Sequence, residues 1–144
     1  MRNLARSALL LSAILLPGTA LAQTSVTQQR IGGLTHYSGT VGGQPLTGVT
    51  QRLGAFEYTN LRVGDRSVRG TSQRIGNLRY SDWSDGTSAT SQRIGAFDYT
   101  STNRGTTYTT QRIGSFTYTT GSDGSRATTQ RIGGLSYTTV TPAP

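Results

Sequence analysis

The chain has 144 residues, with fourteen basic residues that are all Arg, six acidic residues, one His, 19 Gly and no Cys. The absence of Cys excludes a disulfide framework, a lipid anchor on a thiol and a thiol nucleophile. The cationic surplus favours anionic partners such as nucleic acid, acidic polysaccharide or lipid head groups.

Residues 1–22 read as a secretory signal peptide: Arg2 and Arg6, an apolar run from Ala8 to Leu16, then Pro17 and the small-residue site Ala20-Leu21-Ala22. That run is too short for an ordinary transmembrane helix, which needs roughly 20 apolar residues, and no second one follows. The expectation is export through a cleaved signal, to the periplasm or the extracellular space. Residues 23–144 then form a single domain. They are rich in Thr, Ser and Gly and poor in helix formers, which is a β composition.

The dipeptide Gln-Arg recurs at 29/30, 51/52, 73/74, 92/93, 111/112 and 130/131, each time followed by Ile or Leu and then Gly. Six units of the form Gln-Arg-Ile-Gly-x-(Phe or Leu)-x-Tyr therefore follow one another, starting near 29, 51, 73, 92, 111 and 130. Within each unit a Gly-x pair such as Gly95-Ala96 separates two β-like runs, the signature of a type II′ hairpin. That turn pairs Ile94 with Phe97, Arg93 with Asp98 and Gln92 with Tyr99. Ile, Phe, Gln and Tyr then share one face, and Arg lies on the other.

The same register places the connections between units on recognisable turns. In the longer repeats they fall on Gly42-Gly43 and Gly64-Asp65. In the shorter ones they fall on Ser84-Asp85-Gly86, Asn103-Arg104-Gly105 and Ser122-Asp123-Gly124, three-residue loops with Gly at the left-handed position. The fold class expected is all-β, an antiparallel meander of about twelve strands, either a curled sheet or a closed up-and-down barrel. The alternative is a β-solenoid, which would stack six Arg in one ladder roughly 4.8 Å apart and set like charges against each other. Each unit advances the pairing by two positions, so twelve strands accumulate an offset of about twelve and a tilt of about 36°, which permits closure.

Two candidate surfaces follow. The first is an apolar strip: Ile31, Leu53, Ile75, Ile94, Ile113 and Ile132, with Leu34, Phe56, Leu78, Phe97, Phe116 and Leu135 opposite them, flanked by Tyr37, Tyr58, Tyr80, Tyr99, Tyr118 and Tyr137. Such a strip demands cover, by closure, by folding over, or by a partner, and the covered strip is either core or the lining of a ligand cavity. The second is the row Arg30, Arg52, Arg74, Arg93, Arg112 and Arg131, whose guanidinium forks suit a polymer with repeating anions.

Catalysis has little to work with, since His36 is the one His and the six acids are scattered, mostly in turns. No nucleophile stands beside a base, no metal-ligand spacing occurs, and no cofactor is expected. In repeat length, export signal and Gln, Tyr and Gly content the chain resembles the curlin subunits of bacterial surface amyloid. That likeness is one of composition, because curlin units pair Gln with Asn and Gly-x-Gly, whereas this repeat reads Gln-Arg-Ile-Gly. The functional expectation is a non-enzymatic envelope or extracellular module that binds anionic polysaccharide or lipid head groups, or associates with itself. Specific nucleic-acid recognition and membrane spanning are not expected. The alternative is a closed barrel carrying a small apolar ligand.

Overall fold

The computed structural model describes residues 24–143, so the signal peptide expected over 1–22 lies outside the described residues. Twelve strands follow one another: β1 (Thr24–Ile31), β2 (Leu34–Val41), β3 (Gln44–Leu53), β4 (Phe56–Val63), β5 (Arg66–Ile75), β6 (Leu78–Trp83), β7 (Ser88–Ile94), β8 (Phe97–Thr102), β9 (Thr107–Ile113), β10 (Phe116–Gly121), β11 (Arg126–Ile132) and β12 (Leu135–Thr141). Each pairs antiparallel with its neighbours in sequence, and β1 pairs with β12, so the meander closes into a barrel. The solenoid alternative is thereby replaced by the meander.

The hairpin register agrees with the sequence reading. Ile94 faces Phe97, Arg93 faces Asp98 and Gln92 faces Tyr99, while Phe97 faces Gln111 of the next unit. The first Gly of each hairpin turn has φ between 59° and 61°. Gly33, second in its turn, does not share the positive φ, as a type II′ turn requires. The Gly42-Gly43 connection differs, because both residues are left-handed, at φ 56° and 80°, the pattern of a type I′ turn. In the shorter units the loop closes by Gly86 N–H donating to Trp83 O at 3.1 Å, and Gly86 takes φ 84° at the bulge.

The register also fixes the shape. Ile94 leads through Phe97 to Gln111, and Ile132 leads through Leu135 to Gln29, an advance of two residues per hairpin at the seam as elsewhere. Six hairpins therefore shear the sheet by twelve residues over twelve strands. Equal shear and strand number give a tilt of about 36°. All six Gly-x turns lie at one end, the turn end, and the connections between units lie at the other, the loop end.

The facing of the sheet reverses the expectation of an inward apolar strip. Ile31, Leu53, Ile75, Ile94, Ile113 and Ile132 are 56 to 58% exposed, and they lie on the outside of the barrel. The lumen holds three tiers instead. At the turn end stands the Arg row. Next comes a ring of hydroxyl pairs across the hairpins: Thr50–Thr59 at 2.7 Å, Ser72–Ser81 at 2.7 Å, Ser91–Thr100 at 2.8 Å, Thr110–Thr119 at 2.9 Å and Thr129–Thr138 at 2.8 Å. The first unit places Tyr37 in this tier, with a 3.2 Å hydrogen bond to Thr50.

The apolar core is the third tier, in the loop half, and includes Val26, Val41, Leu46, Leu61, Val63, Val68 and Trp83. Here cross-strand partners are matched large to small. Gly48 faces Leu61, Gly70 faces Trp83 and Gly121 faces Tyr108. A Cβ on Gly70 would stand 2.5 Å from Trp83 Cε3, so the absent side chain makes room for the indole. Burying these side chains in a dense interior drives the folding of a chain this rich in Thr and Ser.

Candidate functional site

The distinctive surface is the turn end, and its parts follow from the pleat. Successive side chains of a strand point to opposite sides, so Ile and Phe beside each turn face outward while the neighbouring Arg faces the lumen side. Repeated around a closed sheet, this produces two concentric circles, apolar outside and cationic inside.

The outer circle holds the six Ile or Leu of the odd strands and the Leu or Phe opposite them. Phe56 is 38% exposed, while Phe97 and Phe116 are half-buried. Two residues further from the turns lies a ring of aromatic side chains and Gln. Tyr58, Tyr99 and Tyr118 are exposed there, and each leans along its strand toward a Phe, with ring centroids 6.2 to 6.4 Å apart. The residues read as a core or ligand cavity, namely Ile75, Ile94, Ile113, Phe56, Phe97, Phe116, Tyr58, Tyr99 and Tyr118, thus form a girdle on the outer surface. Tyr37 is not part of it. The first unit has His36 at the tyrosine position, and Tyr37, one residue on, points into the lumen and is buried.

The inner circle holds Arg30, Arg52, Arg74, Arg93, Arg112 and Arg131 on the lumen side of the rim. It is a ring around the mouth and not a row along an open face. Several of these Arg are held by their own turn: Nε donates to the carbonyl two residues on, as in Arg52 to Gly54 at 3.2 Å, Arg74 to Gly76 at 3.1 Å and Arg112 to Gly114 at 3.1 Å. Fixing Nε leaves the two terminal nitrogens to face a ligand with less rotamer freedom to lose.

Cross-strand partners of these Arg vary from unit to unit. Arg52 is opposite Glu57, Arg74 opposite Arg79, and Arg93 opposite Asp98. Glu57 makes an ion pair with Arg79 at 3.2 Å, which relieves the facing of Arg79 and Arg74. Arg52, Glu57, Ser72, Arg74 and Arg79 line a shallow depression in the rim. Burial pushes the Asp98 carboxyl above its ordinary value, with Arg93, Arg79 and Arg74 pulling the other way. Asp98 Oδ2 is buried without a hydrogen-bond partner among the described residues.

Charge is therefore strongly polarised along the barrel. The turn end carries seven Arg against Glu57 and Asp98, whereas the loop end carries Arg62, Arg66, Arg69, Arg104 and Arg126 against Asp65, Asp82, Asp85 and Asp123. Seven against two at one end, and five against four at the other, put five of the six net positive charges of the described residues on the turn end. Among the described residues no group of three or more His, Asp or Glu is placed to hold a metal ion. Sequence reasoning missed the hydroxyl ring entirely, although its signal was present as a Ser or Thr before Gln and after Tyr in five units. Comparison with known protein families, with curated proteins and with solved structures finds no match to this chain.

Proposed function

We propose that the protein is a non-enzymatic module of the cell envelope or extracellular space that binds anionic components of its surroundings through the turn end of the barrel. The observation that carries this reading is the gathering of seven Arg against two acids at one rim. Guanidinium groups at a common level, several pinned through Nε, offer terminal nitrogens to phosphate, sulfate or carboxylate in bidentate form. Because they surround a mouth, they suit a cluster of anions presented together rather than one extended strand lying in a groove.

Retention of the mature chain on immobilised heparin tests this. Retention falls steeply with added salt, as counterion release requires, and weakens stepwise in Arg112→Gln and in the Arg112→Gln, Arg131→Gln pair. Both residues are exposed at the rim, so the substitutions leave the fold intact. Retention that is indifferent to these substitutions, or weakened equally by Arg126→Gln at the loop end, would remove the assignment to the turn end.

A further inference from the structure

We infer that the partner of the turn end is the surface of an anionic lipid bilayer, which the barrel enters end-on and to shallow depth; this rests on the reading of the Arg ring as the anion-binding element. The occupant of this end has to satisfy two circles at once. The outer one is a continuous apolar band in which every Ile or Leu of the odd strands is more than half exposed, and a contiguous apolar surface of that kind marks an interaction site. The inner one is cationic.

Three occupants can be weighed against those demands. A second copy docked crown to crown would cover the apolar band, but it would bring two cationic rings face to face at short range. An acidic polysaccharide would match the charge and leave the band in water. An anionic bilayer answers both demands, with acyl chains and glycerol backbones against the outer circle and phosphates against the inner one.

The order of chemistry along the barrel axis supports the same choice. With a tilt of about 36°, each residue advances the strand by roughly 2.7 Å along the axis. The Tyr and Gln ring therefore lies roughly 5 Å behind the Ile and Phe circle. Apolar side chains first, phenols next and polar groups behind them is the sequence met on passing outward through a membrane interface. Behind the Tyr ring the outer surface turns to Thr120, Asn60, Asp82 and Ser101, all exposed. The apolar band is thus one tier tall, suited to the shallow burial of roughly 5–10 Å typical of interfacial proteins. A spanning barrel needs an apolar belt of about 25 Å.

The tips of the turns fit this environment too. They consist of Gly, Ala, Ser and Asn, with no charged side chain. Their carbonyls are already engaged: Gly54 O accepts from Arg52 Nε, Ala55 O from the Arg74 N–H at 3.3 Å, and Ser115 O from the Arg131 N–H at 3.0 Å. Backbone groups satisfied in this way enter a region of low polarity at lower cost than bare ones.

The experiment uses the mature chain with vesicles of phosphatidylcholine alone and of phosphatidylcholine mixed with phosphatidylglycerol. A Tyr118→Trp variant places a reporter in the exposed Tyr ring, while the native Trp83 reports from the loop half, where it is buried. Brominated lipids quench the Tyr118→Trp signal on mixed vesicles, leave Trp83 of the parent chain unquenched, and quench neither on phosphatidylcholine. Replacing both Ile94 and Ile113 by Ser weakens binding to mixed vesicles at least tenfold and leaves heparin retention unchanged.

Unaltered vesicle binding in that double variant would overturn entry of the apolar band into the bilayer and leave the anion-binding reading intact. Heparin retention without any vesicle binding would overturn the bilayer assignment in favour of a polymer, and a concentration-dependent dimer abolished by the same two substitutions would overturn it in favour of a second copy. Quenching of Trp83 in place of the Tyr118→Trp reporter would overturn the end-on orientation. Loss of both heparin and vesicle binding as outcomes for the parent chain would remove the underlying reading together with this one.

Discussion

The facing of the sheet can be tested by asking which side chains the protein cannot lose. Thr110 and Thr119 share a 2.9 Å hydroxyl hydrogen bond in the lumen, and they are 0% and 3% exposed. Thr110→Val leaves the Thr119 hydroxyl buried with no partner, and Thr119→Val does the reverse, so each single change costs about 1–3 kcal/mol. The double variant replaces both hydroxyls by methyl groups of similar shape and is expected to lie close to the parent. The cycle should therefore return a coupling of about 2–6 kcal/mol between the two sites, the sum of the two single costs. In parallel, Ile113→Ala on the outer surface, where Ile113 is 57% exposed, should cost less than about 1 kcal/mol. A buried Ile would cost about 2–5 kcal/mol. Urea unfolding followed by circular dichroism, extrapolated linearly to water, measures all four variants. A loss above about 2 kcal/mol for Ile113→Ala, or additive and small effects for the two Thr, would mean that the apolar strip lines the interior after all.

Three further outcomes follow from packing and ionisation. Gly70→Ala sets a Cβ against the Trp83 ring at 2.5 Å and should destabilise by about 1–3 kcal/mol, an effect reduced when Trp83 is also replaced by Leu; equal costs in both backgrounds would show that the two do not touch. Val140 is 1% exposed beside the seam, so Val140→Asp should open the pairing of β1 with β12 and produce concentration-dependent association by light scattering, whereas a monomer of unchanged stability would contradict the closure. Burial, reinforced by Asp123, pushes the Tyr108 hydroxyl up to about 12 from 10.0. The folded chain then holds a proton that the unfolded chain releases, so this stabilisation is complete below pH 10 and is lost as pH rises through about 12. Phe at this position should flatten the alkaline limb of the stability profile measured by urea unfolding at stepped pH, and an unchanged limb would place the loss elsewhere.

Much of the architecture was legible because turn chemistry and repeat spacing constrain each other. One pairing rule had to put Gly at the left-handed positions of both the two-residue and the three-residue connections, and few registers do that. Which side faced inward was not legible from the repeated motif, because the motif covers only half of each strand. In β4 the apolar residues near the turn are Phe56 and Tyr58, while those near the loop end are Leu61 and Val63. The second pair is out of phase with the first, so the apolar side of the strand changes midway. Leu61 and Val63 share the pleat of Glu57, and all three are buried in the lumen. Judged over whole strands, the apolar residues in phase with Arg were the signal for the interior. The recurrence of Ile or Leu before each turn and of Phe or Leu after it pointed to the opposite face.

The candidate site was legible in its parts and not in its arrangement. The Arg residues and the apolar strip were both visible, but only closure of the sheet turns a strip and a row into concentric circles at one end. The unit-to-unit variation opposite the Arg, with Glu57, Arg79 and Asp98 at equivalent positions, also becomes meaningful only there. Glu57 reaches Arg79 from two strands away, a contact that no single hairpin contains.

The seam between β1 and β12 advances by two residues, just as every internal junction does. The ring accordingly has no privileged starting point, and the chain ends could be moved to another loop without altering any strand's neighbours. Strand number and shear also grow in step with each added unit, so their ratio, and with it the slope of the strands, does not depend on how many units are present. Gaining or losing one repeat by unequal recombination would change the girth of the ring while preserving every local contact, leaving size open to evolutionary adjustment in steps of one hairpin.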